Sequence, residues 1–173
     1  VVGNPPFLRT QGRDIVEKRF ALSVARRFGV TLTADASSWA PFVACAAGFV
    51  RAGGRLAMIV PREALFVHYA RPLLRFLEGR FADVRIVALG GLHFSALQKV
   101  ALLLCEGQGP GVLRLHEASE LADLDLEQLP PPIRSFAAAR MPEDCREAAE
   151  RALASSALVP LSEVASVLLG VVA

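Results

Sequence analysis

This 173-residue sequence has only three cysteines, Cys45, Cys105 and Cys145, far apart and in no Cys-x-x-Cys spacing with each other or with His68, His93 or His116. That excludes a zinc-ligand pattern and a disulfide framework, so no metal is expected. Cys45 and Cys105 lie in apolar runs and read as small core residues. Every apolar run is broken by Arg or Pro before it reaches membrane-spanning length, and a basic start leading into an apolar leader is missing. The expectation is a soluble, cytoplasmic protein without a membrane partner. A large charge excess is lacking as well, with 19 basic residues against 17 acidic ones. Such a balance does not describe a whole-domain polyanion binder, although the basic residues are nearly all arginine, which contacts phosphate bidentately. There is no internal repeat and no low-complexity tract. An initiator Met is also missing: the chain opens in mid-strand and stops in the apolar run Leu168 to Ala173, which reads as a piece of a longer polypeptide.

What is present is a chain 53% hydrophobic, enough for one domain with a proper core. Its most informative stretch is Val1-Val2-Gly3-Asn4-Pro5-Pro6-Phe7. Two β-branched residues and a glycine read as a strand end and the bend leaving it. Pro5 and Pro6 fix two successive φ angles and donate no N–H, so their carbonyls and the Asn4 side chain are expected to stand out as unpaired acceptors. Phe7 adds a flat apolar face. Acceptors for both protons of an –NH2 group, beside a ring that stacks on a planar partner, suit a planar amine bound edge-on. Open α/β sheets hold ligands at the carboxyl ends of their strands, which is where this turn falls.

Asn-Pro-Pro-aromatic at a strand end resembles motif IV of the amino-methyltransferases, and the longer match is similar to the N6-adenine DNA methyltransferases of the Taq type. The resemblance implies a partial Rossmann-like, S-adenosylmethionine-dependent methyltransferase fold: parallel strands with crossover helices and a closing antiparallel strand. It implies Asn4, Pro5, Pro6 and Phe7 as the catalytic residues, a flipped adenine stacked on Phe7, duplex DNA as partner, and a restriction-modification setting with a fused or separate endonuclease. It also implies that Arg9 and Arg13, in the polar loop 8–13, lie near DNA phosphates.

Along the chain, Asp14 to Phe28 reads as an amphipathic helix stopped by Gly29. Asp35 is placed to cap a second helix, 36–51, with Trp39 and Phe42 taken as core. Arg55 to Pro61, bounded by Gly-Gly and Pro, reads as a buried parallel strand. Its Ile-Val-Pro ending is similar to the DNA-modifying branch of the family, whereas the protein-glutamine branch ends that strand with an acidic residue before Gly. Residues 63–80 form a further helix, broken ahead of Pro72. Val84 to Leu89 and Val100 to Cys105 read as an antiparallel strand pair. In the Taq-type enzymes the loop between these strands carries an aromatic residue against the flipped adenine and then a Gln-Lys pair; Phe94 and Gln98-Lys99 match by order, with Phe94 as a second stacking ring or a core residue. Lys99 is a candidate phosphate contact.

Val112 to His116 reads as a short strand, 117–126 as acidic and helix-like, and 143–155 as a charged surface helix. The division expected is 1–128 as the substrate-side half of a catalytic domain, 129–158 as a Pro-rich linker and helix, and 159–173 as the start of a target-recognition domain. In the family, the donor S-adenosylmethionine is held by a Gly-rich loop and an acidic residue that would lie upstream of Val1, and no Gly-x-Gly-x-x-Gly turn from strand to helix occurs here. The chain alone is therefore expected to be inactive. Three readings stay open: an adenine-N6 DNA methyltransferase, a methyltransferase for another planar amine (an rRNA guanine or a protein glutamine), and a non-catalytic interaction module.

Overall fold

The computed structural model describes residues 1–8, 14–90, 99–119 and 124–133, with Cys145, Ala148 and Arg151 beyond them. The chain divides into two units, Val1–Phe136 and Ala137–Ala173. In the second, the three described residues are helical. The first is a mixed α/β unit: β1 (Val2–Gly3), α1 (Ile15–Arg27), α2 (Trp39–Gly48), β2 (Arg55–Pro61), α3 (Arg71–Arg80), β3 (Asp83–Leu89), β4 (Val100–Glu106) and β5 (Val112–Ala118).

The strands form one five-stranded sheet in the order β1-β2-β4-β3-β5. β1 and β2 are parallel, with Val2 opposite Ala57, and the crossover between them contains α1 and α2. β4 is antiparallel to both β2 and β3, with Met58, Leu103 and Ile86 in one row, and β5 returns parallel to β3. The expected antiparallel pair is therefore present, and the whole arrangement is compatible with part of a Rossmann-like sheet.

Strand alternation sorts the side chains onto two faces. Leu56, Met58, Val60, Val84, Ile86, Leu103 and Cys105 share one face and are at most 2% exposed. α2 and α3 bring Trp39, Ala40, Val43, Ala44, Ala47, Leu73 and Leu77 to the same buried core. Each fully buried Leu, Ile or Val here contributes about 1.5–3 kcal/mol relative to exposure. On the other face Val87, Leu89 and Val100 form a second cluster, against which Phe7, Ile59, Leu102, Leu104, Ala118, Leu124 and Leu129 pack.

α1 follows the sequence closely. The Asp14 carboxylate accepts from the Val16 N–H at 3.0 Å, and the helix ends at Phe28 before Gly29, whose φ of 85° suits a residue without Cβ. Its apolar residues do not all turn inward: Ala25 is buried, whereas Ile15, Val16 and Phe20 are 65–71% exposed.

Several expectations are corrected. α2 starts at Trp39, and Asp35 does not cap it; the Asp35 carboxylate is held below its ordinary pKa by the Thr33 hydroxyl and its own backbone. Trp39 is core, but Phe42 is 47% exposed, because the buried stripe of α2 consists of Trp39, Ala40, Val43, Ala44 and Ala47. The helix expected over 63–80 is two single 3₁₀ turns, Arg62–Leu65 and His68–Ala70, followed by α3, with Pro72 in its first turn where a missing N–H is harmless. Glu117 and Ala118 extend β5 rather than start a helix, since each continues the ladder with β3. Residues 126–128 are bends, also not helix. The Pro-rich stretch 129–133 lies beside β5: Ile133 makes an antiparallel bridge to Leu115, and the Pro130 carbonyl meets His116 Nδ1 at 2.6 Å.

Candidate functional site

β2, β3 and β5 run parallel to β1, and β4 runs antiparallel, so one edge of the sheet collects the ends of four strands and the start of the fifth. Asn4 leaves β1 there, Arg62 and Glu63 leave β2, Gly90 leaves β3, and Lys99 enters β4. β2 lies between the turn that follows β1 and the strand that Lys99 enters, and the Arg62 N–H donates to the Lys99 carbonyl at 2.9 Å.

The turn itself is built on a buried proline with exposed residues on either side of it. Pro5 is buried, Asn4 and Pro6 are exposed, and Phe7 is half-buried, packing on the Val87, Leu89 and Val100 cluster with part of its ring still open. Among the described residues neither the Asn4 side chain nor the Pro5 carbonyl has a hydrogen-bond partner. The Pro6 carbonyl does have one, contrary to the expectation that both proline carbonyls stand free: it accepts from the Ser38 hydroxyl. The same hydroxyl oxygen accepts from the Leu8 N–H at 2.9 Å. The Leu8 carbonyl in turn accepts from the Ser37 hydroxyl at 3.0 Å and the Ser38 N–H at 3.2 Å. The two serines are 5% and 8% exposed, whereas Pro6 and Leu8 are exposed, so these bonds are partly shielded from water.

Behind the serines lies a second polar chain. Trp39 Nε1–H donates to the Tyr69 hydroxyl at 3.2 Å, and that hydroxyl lies 3.4 Å from Glu63 Oε1, just beyond β2. Burial raises the Tyr69 pKa, with the Trp39 hydrogen bond opposing the shift, so the group stays a neutral phenol. It thereby ties the first residue of α2 to the end of β2.

The arginines of the sheet face are engaged elsewhere. Arg55 and Arg85 pair with Glu106 at 3.2 and 2.6 Å, and Arg85 and Arg114 pair with Asp83 at 3.1 and 2.6 Å. All of these sit at the opposite edge, where β2 and β3 begin. At the candidate edge Arg62 meets Glu117 at 2.8 Å, and the Lys99 side chain is exposed. Among the described residues no three His, Cys, Asp or Glu side chains come together as a metal site, and no helix is long and apolar enough to cross a membrane.

Of the residues expected from sequence, Asn4, Pro5, Pro6, Phe7 and Lys99 are at one sheet edge; Arg9, Arg13 and Phe94 lie outside the described residues. Ser37, Ser38, Tyr69 and Glu63 were not anticipated. Two serines before an apolar helical run do signal a helix start. That signal predicts a cap, yet the Ser38 side chain makes no capping bond and reaches back to the turn instead.

No family model and no curated protein matches this chain. Solved structures do share its fold. Part of the DrdV–DNA complex superposes on 83% of the chain with a TM-score of 0.59 and 12% identity, covering 18% of the DrdV chain. A nuclease-deletion mutant of the Type ISP restriction-modification enzyme LlaGI, in complex with a DNA substrate mimic, matches 67% with a TM-score of 0.52 and 16% identity, covering 12% of that chain. The type IIG restriction endonuclease BpuSI matches 68% with a TM-score of 0.51 and 19% identity, covering 15% of its length. The chain thus spans less than a fifth of the length of each of these three chains.

Proposed function

We propose that this chain is the substrate-side part of an adenine-N6 DNA methyltransferase belonging to a restriction-modification system. The observation that carries the reading is a pair of acceptors without a partner among the described residues, the Asn4 side-chain oxygen and the Pro5 carbonyl, at the carboxyl edge of the sheet beside a half-buried Phe7. Fold similarity to enzymes of restriction-modification systems is consistent with it.

The exocyclic nitrogen of adenine is a poor nucleophile because its lone pair is delocalised into the ring. In the proposed complex its two protons donate to Asn4 and to the Pro5 carbonyl, which favours tetrahedral geometry and stabilises the positive charge developing on nitrogen. Neither acceptor must take up the proton during the bond-forming step, so no strongly shifted base is needed. The open face of Phe7 stacks on the extruded base, a contact worth roughly 1–3 kcal/mol, comparable with the few kcal/mol spent on unstacking. Lys99, exposed where the chain enters β4, would contact a phosphate in this complex.

S-adenosylmethionine would supply an electrophilic methyl group. Gly53-Gly54 precede β2 at the other edge of the sheet, and the Gly90 N–H donates to the Ala118 carbonyl. The role argued here therefore rests on the amine side alone.

The test is to incubate the complete protein with donor and duplex DNA and to measure N6-methyladenine, with RNA and glutamine-containing protein as parallel acceptors. Methylated adenine in duplex DNA is the expected product. Methylation confined to RNA or protein would move the activity to another planar amine, and no methylation of any acceptor would leave the turn as structure only. This chain by itself is expected to transfer no methyl group.

A further inference from the structure

The amine-binding reading needs Asn4 and the Pro5 carbonyl held in one orientation, and the turn has little means to do this alone. Pro5 and Pro6 have no N–H, so no hydrogen bond donated from within Pro5-Pro6 can fix the turn. The two rings fix φ but not where the carbonyls point, and the four bonds made by Ser37 and Ser38 are the polar contacts the described residues supply to Pro6 and Leu8.

Resting on that reading, we propose that Ser38, seconded by Ser37, is a positioning residue for methyl transfer. Its hydroxyl donates to the Pro6 carbonyl and accepts from the Leu8 N–H, bridging the two sides of Phe7. That bridge engages the Pro6 carbonyl, whereas the Pro5 carbonyl has no partner among the described residues. The bridge also sets the direction of the Phe7 ring, since both neighbours of Phe7 in the chain are held. Ser38 is followed in the chain by Trp39, whose indole N–H donates to the Tyr69 hydroxyl, itself 3.4 Å from Glu63 Oε1. A path of hydrogen bonds and adjoining residues thus joins the end of β2 to the turn after β1. No residue of this path is required to touch substrate.

A hydroxyl that positions acceptors acts on the chemical step. In the complete protein Ser38→Ala is expected to lower kcat by roughly 10²-fold, the size of effect an ångström-scale misplacement produces, with KM for DNA and duplex binding little changed. Ser38→Thr, which restores a hydroxyl at the same carbon, is expected to recover most of kcat. Hydrogen exchange supplies a readout free of activity: the Leu8 amide is protected in the wild type and exchanges faster in Ser38→Ala, with β2 and β4 unchanged. Wild-type kcat in a folded Ser38→Ala protein, or a loss expressed only in KM, would overturn the proposal. Unchanged exchange at Leu8 would do so regardless of activity. If Ser38→Ala does not fold, Ser37→Ala, which removes one of the four bonds, is judged by the same two readouts. A wild type that methylates no duplex DNA overturns the adenine reading instead, a failure visible before any serine is changed.

Discussion

Replacing Asn4 with alanine separates what the turn does for folding from what it does for chemistry. Asn4 is exposed and its side chain has no partner among the described residues, so its removal takes away no packing and no intramolecular hydrogen bond. Surface changes of this kind stay within about 0.5 kcal/mol of wild type. The same substitution deletes one of two acceptors facing the charge that develops on nitrogen, a loss of about 2.7–4 kcal/mol, or roughly 10²–10³ in kcat, by analogy with removing one preorganised donor from an oxyanion site. Phe7→Ala is the contrast. Its half-buried ring packs on Val87, Leu89 and Val100, and losing about half of a buried side chain's 1.5–3 kcal/mol gives a stability loss of about 1 kcal/mol. The assay is single-turnover methyl transfer to an adenine-containing duplex by the complete protein, alongside urea unfolding of each variant. Asn4→Ala should unfold with the wild type and fail at transfer; Phe7→Ala should be impaired in both. An Asn4→Ala protein that keeps kcat within about threefold would refute the argument, as would one destabilised as much as Phe7→Ala, since Asn4 would then be a structural hydrogen-bonding residue.

Three further expectations concern the scaffold. A Cβ on Gly111 would lie 2.1 Å from the Ala82 carbonyl oxygen, a backbone atom, whereas a Cβ on Gly79 in α3 meets nothing within 4 Å; Gly111→Ala should destabilise by about 1–3 kcal/mol and Gly79→Ala should stabilise by about 0.5–1 kcal/mol in thermal or urea unfolding. Burial, reinforced by Asp83, pushes the Cys105 thiol up to about 12, so at pH 8 a thiol-specific chromogen should label exposed Cys145 first and half-buried Cys45 more slowly, with Cys105 reacting only on unfolding. Tyr69→Phe leaves the indole N–H of Trp39, a residue 1% exposed, without its acceptor; a loss of about 1–3 kcal/mol in unfolding free energy is expected, and an unchanged midpoint would refute the role given to that bond.

The amino-acid order determined the local features unaided. β-branched pairs and apolar runs between Gly and Pro mark β2, β3 and β4 because a buried strand needs such residues on both faces. Asp14 and Gly29 bracket α1 because a helix end needs a side-chain acceptor at its start and tolerates a left-handed residue after its end. Asn-Pro-Pro-Phe declares its turn because two rings fix φ wherever they are placed. Tertiary structure decided which of these signals was used and how. Phe42 has the spacing of a core residue, but alanines make up much of the α2 stripe against the sheet and leave that ring half outside. Asp35 and Ser38 have the chemistry of helix caps. Ser38, however, spends its hydroxyl on Pro6 and Leu8, partners 30 or more residues away that no local pattern can announce. That is why the acceptors were visible in the sequence and the clamp holding them was not: backbone stiffness is a property of neighbouring residues, whereas a hydrogen bond across the sheet edge exists only once β1 and α2 have been brought together.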